Sequence, residues 1–193
     1  LHEQVNEGAD VRGEELALGV HDGDLVLRLG DALQHLDQDA PLEPFRRWAE
    51  AGKAGGAAMF MQISHPGRQV RANMGEEAWA PSAVALDLGK HSKLFAMPKA
   101  MSEAEIAEII TRFADTATAA ERAGFTGVEI HAAHGYLISQ FLSPLTNRRD
   151  DRWGGSLANR VRLLLEVVKA VRTRVSPGFC VASKTPMPVE RER

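Results

Sequence analysis

One cysteine, one tyrosine and no long apolar run mark this chain of 193 residues. A lone Cys180 excludes an internal disulfide, which suits a reducing compartment. No stretch is long and apolar enough to span a bilayer, and no charged-then-apolar leader opens the chain. A soluble, cytoplasmic protein is therefore the expectation. A net charge of −3 offers no electrostatic footing for nucleic acid or an anionic membrane. Internal repeats and low-complexity segments are missing as well. What is present, 44% apolar and 25% charged residues, is the composition of one ordinary globular domain.

Residues 1–40 carry charges, glycines and isolated leucines without a sustained period. Residues 25–27 are their only strand-like piece, and disorder is one reading of the segment. From Pro41 the pattern becomes legible. Pro44 suits a first helical turn, and Phe45, Trp48, Ala49 and Gly52 follow at helical spacing up to Gly55-Gly56. Residues 57–63 form a compact apolar run, a buried strand that closes on Gln62, Ser64 and His65. Residues 68–100 are expected to be loop, broken by Pro81, Gly89 and Pro98. Ser102 with Glu105 is a capping box for a helix to about Ala123, with Ile106, Ile109, Ile110, Phe113 and Ala117 on one face and Gly124 just past its end. A further helix is expected over 157–175, with Val161, Leu164, Leu165 and Val168 as its apolar stripe. A last strand is expected over 179–182. This alternation of helix and strand calls for a parallel sheet with helical cover, the α/β class.

Residues 124–160 organise the rest. Residues 126–130 read as a buried strand with Val128 and Ile130 on one face and Glu129 and His131 on the other. At its C-terminal end polar groups gather: His131, His134 and Tyr136. Residues 136–142 then form a short amphipathic helix stopped by Pro144, and a polar loop leads to Ser156, a good N-cap. Polar side chains at a strand's C-terminal end are how α/β folds build sites. Taken singly, the two histidines read more simply as one exposed and one core residue than as a functional pair. Spaced i and i+3 they can also face one metal ion, although no third ligand with suitable spacing stands out. Trp48, Trp79 and Phe113 read as core. Arg149, Asp151 and Asn159 read as ties between the loop and the next helix.

Three segments together resemble the old yellow enzyme family of FMN-dependent ene-reductases and NADH:flavin oxidoreductases. They are M-Q-I-S-H-P-G-R-Q from Met61, A-P-S-A-V from Ala80, and the block from Gly124 with H-x-x-H-x-Y-L, Q-F-L-S-P, N-x-R-x-D-x-W-G-G-S and N-R. The resemblance covers residues 41–181 and implies part of a (β/α)₈ TIM barrel, about its second to fifth strands. Residues 1–40 and the tail 182–193 lie outside it, and a reading-frame slip at either end is one account of both. The resemblance implies FMN as cofactor, NADH or NADPH as reductant, and an enone or similar electron-poor alkene as substrate. It implies that His131 and His134 bind the substrate's carbonyl oxygen, that Tyr136 is the proton donor to the α-carbon, and that Gln62 hydrogen-bonds the flavin's pyrimidine ring. Lys184 stands about where the family places a basic residue against flavin N1 and O2, among neighbours that differ. No metal is implied. Two other classes remain at this point: a truncated or frameshifted non-catalytic remnant unable to hold FMN, and a metal-dependent hydrolase using the histidine pair.

Overall fold

The computed structural model describes residues 41–75 and 77–185, and before them only the backbone of four short strands. Those strands are β1 (Asn6–Glu7), β2 (Leu16–His21), β3 (Asp24–Leu29) and β4 (Ala32–Gln34), joined in that order in an antiparallel sheet. The strand expected at 25–27 lies within β3. Other expectations for residues 1–40, and for the tail beyond Thr185, fall outside the described residues.

Helix α1 (Leu42–Lys53) starts at Pro41 and carries Pro44 in its first turn, where no N–H partner is needed. It buries Phe45 and Ala49, and Trp48 meets Phe125 edge-on at 5.2 Å. Strand β5 (Phe60–Ile63) follows, starting three residues later than the apolar run suggests. The chain then makes a long excursion of 3₁₀ turns that includes two three-residue strands, β6 (Ala78–Ala80) and β7 (Pro98–Ala100), paired in parallel. Strands this short carry no period for sequence to display, so the segment reads as loop.

Helix α2 (Glu103–Arg122) opens with the expected reciprocal cap. Ser102 Oγ accepts the Glu105 N–H at 3.2 Å, and Glu105 Oε2 accepts the Ser102 N–H at 2.7 Å. Strand β8 (Gly127–His131) leads into α3 (Leu137–Leu142), then α4 (Leu157–Arg160), α5 (Arg162–Arg174) and β9 (Cys180–Lys184). The single helix expected over 157–175 is thus interrupted at Val161. Its apolar stripe also differs. Leu163, Leu164, Val167 and Val171 are buried, whereas Leu165 is 57% exposed. Three successive leucines sweep about 200° of a helix at 100° per residue, so one of them must leave the core.

The sheet that matters for function is β5-β8-β9, all parallel and in chain order. Neighbouring parallel strands in sequence order, each crossover carrying helix, are the progression of a (β/α) barrel; a doubly wound sheet reverses its order. One face of the sheet (Met61, Ile63, Val128, Ile130) is buried in the core with α2 and α5. The other face is arranged in rows by the register. Phe60, Gly127 and Cys180 form the first row, Gln62, Glu129 and Ala182 the second, and His131 with Lys184 the third. Gly127 is required here: a Cβ would stand 2.7 Å from Phe60 Cε1 and 2.5 Å from the Cys180 carbonyl oxygen. The Phe60 ring and Cys180 therefore close the bottom of this face, and polar groups occupy the rows above it.

Candidate active site

The C-terminal end of β8 is built by backbone bonds that turn the chain sharply. Ala132 N–H donates to the Lys184 carbonyl at 2.8 Å, carrying the β8–β9 ladder one residue past the strand. His134 and Gly135 then both take positive φ, +54° and +73°. His134 is the only described non-glycine residue in that region. Histidine tolerates the left-handed conformation better than most side chains, and strain of this kind gathers at functional sites. The Gln69 side-chain amide donates to the His134 carbonyl at 3.0 Å and ties the turn to the loop after β5. Tyr136 is the N-cap residue of α3, and the next N–H, from Leu137, donates to the His65 carbonyl at 3.0 Å.

These turns bring three rings together. The His131 ring lies 4.9 Å from that of His134 and 5.0 Å from that of Tyr136, close to perpendicular to both at 88° and 90°. His131 is buried, His134 exposed and Tyr136 between the two. The Ala133 N–H donates to His131 Nδ1 at 3.3 Å, so the neutral ring carries its proton on Nε2 and can donate from there. Neutrality is favoured. Burial, then the neighbouring His134 and Lys184, hold His131 below the usual histidine range, and Glu129 opposes them.

Of the residues singled out from sequence, His131, His134 and Tyr136 thus form one cluster. Gln62 stands one row below it on the same face, about 7 Å back along the strand. Its Nε2 donates to Glu129 Oε1 at 2.5 Å, a pairing across strands that sequence reading did not see. Lys184 aligns with His131 in register, on an exposed strand end, and acts on it through its charge. Among the described residues no group of three or more His, Cys, Asp or Glu side chains could hold a metal ion.

Two residues inside the quoted segments carry the scaffold of this end. Gln140 is 1% exposed. Its Nε2 donates to the Gly135 carbonyl at 2.6 Å and the Pro66 carbonyl at 3.2 Å, and its Oε1 accepts the Arg68 N–H at 3.2 Å. An amide on a short helix whose Leu137, Ile138 and Phe141 are apolar was the available signal. Arg149 reaches beyond the role expected of it. Its guanidinium pairs with Asp151, and its Nη1 donates to the Pro81 and Met101 carbonyls at 3.0 and 2.6 Å. The loop is therefore tied backwards to the excursion as well as forwards, where Asn159 Nδ2 donates to the Asp151 carbonyl at 3.4 Å.

Comparison with known proteins gives the family of the chain. Residues 31–187 match the model of the NADH:flavin oxidoreductase / NADH oxidase family. The NADH-dependent flavin oxidoreductase nadA of Aspergillus parasiticus is 48% identical over 142 residues, which is 74% of this chain and 32% of that protein. An NADPH dehydrogenase of Clostridium acetobutylicum is 51% identical over 117 residues, 61% of this chain and 33% of its own length. Morphinone reductase in complex with tetrahydroNAD superposes with a TM-score of 0.69 at 33% identity, over 77% of this chain and 44% of that one. The old yellow enzyme homologue from Zymomonas mobilis gives 0.68 at 36% identity, over 75% and 42%. The chain spans about a third of the length of these two curated relatives, 32% and 33%. With its parallel α/β sheet, its histidine-tyrosine cluster and these matches, the chain belongs to the NADH:flavin oxidoreductase / NADH oxidase family, which includes the old yellow enzymes.

Proposed function

We propose that this site serves an FMN-dependent NAD(P)H oxidoreductase of the ene-reductase type, which reduces activated C=C bonds of small electron-poor alkenes. The observation that carries the reading is the placement of the His131 ring within about 5 Å of both the His134 and the Tyr136 rings at the C-terminal end of β8, above a polar row on the open face. The residues suit the group. The Gln62 amide offers an acceptor and a second N–H to the pyrimidine edge of a flavin, and Lys184 brings positive charge to the same end of the sheet. Bound there, FMN would supply hydride exchange between NAD(P)H and the alkene.

This chain's own residues do the rest. When hydride reaches the β-carbon of an enone, negative charge develops on the conjugated oxygen. His131 Nε2–H and the imidazole of His134 bind that oxygen. Preorganised donors of this kind are worth a few kcal/mol each, on the order of 10²-fold in rate. Tyr136 holds a phenolic proton and delivers it to the α-carbon. A neutral His131 suits this task, since its proton position is already set by the bond at Nδ1.

The test is to supply the purified chain with FMN and follow NADH or NADPH oxidation coupled to loss of 2-cyclohexenone under anaerobic conditions. The same measurement is made with residues 41–185 grafted into an intact barrel of the family. Alkene-dependent oxidation that falls with Tyr136→Phe supports the reading. A graft that binds FMN and turns over without regard to Tyr136, His131 or His134 overturns it. Activity in the graft alone identifies the isolated chain as a remnant that does not hold FMN.

A further inference from the structure

Glu129 has no part in the chemistry above, yet it occupies the centre of the open face. It is the register partner of Gln62 on one side and of Ala182 on the other. Both polar side chains are only partly buried, and the Gln62 Nε2–Glu129 Oε1 bond at 2.5 Å joins them. The row below is closed by Phe60 and Cys180 over Gly127. The Ala182 side chain leaves the row open on the far side.

A primary amide is nearly symmetric in shape but not in hydrogen bonding: one end accepts, the other donates twice. Left alone, Gln62 could turn its amide by 180° with little change in packing. A carboxylate can only accept, so beside Glu129 the nitrogen end must face the carboxylate, in a charge-assisted bond of the stronger kind. The carbonyl Oε1 is then directed away from Glu129.

Resting on the flavin reading of the site, we infer that Glu129 is a positioning residue that fixes the orientation of the Gln62 amide. The orientation presents Oε1 to the imide N–H (N3) of the flavin ring and leaves one Nε2 hydrogen for the adjacent ring carbonyl. Glu129 thereby selects ligands whose edge reads acceptor-donor-acceptor, as an imide does, over those in which that N–H is blocked.

The test compares binding of FMN and N3-methyl-FMN to the full chain, followed by quenching of flavin fluorescence. The wild-type chain should prefer FMN by about tenfold, the factor one hydrogen bond typically carries. Glu129→Gln should cut that preference about twofold, because two amides pair equally well in either sense and half of the Gln62 amides are then turned the wrong way. Equal weakening of both flavins by Glu129→Gln, with the preference intact, would show a merely structural role and overturn the inference. Glu129→Leu, which removes the acceptor without adding a donor, repeats the comparison if the first variant misfolds.

A second readout needs no flavin. In the free chain, the side-chain NH₂ resonances of Gln62 should move as Glu129 is protonated, and this dependence should vanish in Glu129→Gln. Resonances indifferent to that titration would overturn the inference on their own. Failure of the wild-type chain to bind either flavin would overturn the flavin reading for this chain. The NH₂ titration would then decide whether Glu129 orients Gln62.

Discussion

Gln140 fills the space in which a side chain at Gly67 would stand. A Cβ on Gly67 would lie 2.4 Å from Gln140 Nε2 and 2.5 Å from its Oε1. Gly67 also adopts a φ of +62°, in the left-handed region where an alanine Cβ is strained. The contact joins the turn after β5 to α3, and through the Gly135 carbonyl to the turn that carries His134. Gly67→Ala should therefore lower unfolding free energy by roughly 2 kcal/mol or more, from backbone strain and overpacking together. Gln140→Leu keeps the volume but strands buried backbone groups, at about 1–3 kcal/mol for each one left unpaired. Urea denaturation of both variants measures this. A loss below half a kcal/mol in either would show that the two loops are held elsewhere.

The backbone at His134 makes a graded prediction. At φ +54° asparagine is well tolerated, alanine less so, and a β-branched side chain least. Stability should therefore fall in the order His134→Asn, His134→Ala, His134→Val. In an FMN-loaded graft, Asn alone retains a donor for the substrate oxygen. It should keep most of the affinity for phenols, read from the charge-transfer band of the oxidised enzyme. Alanine and valine should lose it alike.

Tyr136→Phe separates the two halves of the proposed reaction. It removes the proton held near the α-carbon and leaves His131 and His134 in place. Alkene reduction should slow by on the order of 10²-fold or more, within the range of a lost general acid. Reduction of the flavin by NAD(P)H should be nearly unchanged, as stopped-flow absorbance can show. Equal slowing of both halves would reassign Tyr136 to cofactor binding.

Acid should destabilise the fold in part through His65. Its ring stacks on Trp79 at 6.3 Å, and burial, with a smaller contribution from Arg112, pushes its pKa from 6.5 down to about 3. The unfolded chain then takes up the proton first. Stability owed to this residue is complete above about pH 6.5 and is lost progressively as pH falls toward about 3. Glu105, held down to about 2 by the N-terminal cap of α2 and by Lys99, adds a second loss below the ordinary carboxylate range. His65→Phe preserves the stacking but cannot titrate, so its stability should fall less steeply between pH 6.5 and 4. Parallel curves for the two proteins would show that His65 is solvated in the folded state.

The features legible in sequence are those that neighbouring residues settle among themselves. The capping box at Ser102 and Glu105 needs four consecutive residues. The left-handed end at Gly124, φ +90°, needs one. His131, His134 and Tyr136 lie within six residues, so a strand end and one tight turn suffice to gather them. The face each β8 residue takes follows from alternation, and the burial of Val128 and Ile130 agrees with it.

Sequence alone therefore determined which polar side chains gather at the end of β8, the alternation of α1, β5, α2 and β8, and the side of the strand from which those side chains project. Tertiary structure decided what those groups are held by. The Gln62–Glu129 bond joins residues 67 apart, and the Gln140–Pro66 bond joins residues 74 apart. Neither has a local pattern. The first exists because the parallel register of β5 and β8 sets Gln62 opposite Glu129. That register follows from burying Met61, Ile63, Val128 and Ile130 against α2 and α5 at once; a slip of one residue would turn every apolar side chain of the strand outward. Spacing along the chain can name an amide and a carboxylate, but only the packing of the buried face can bring them together on the open one.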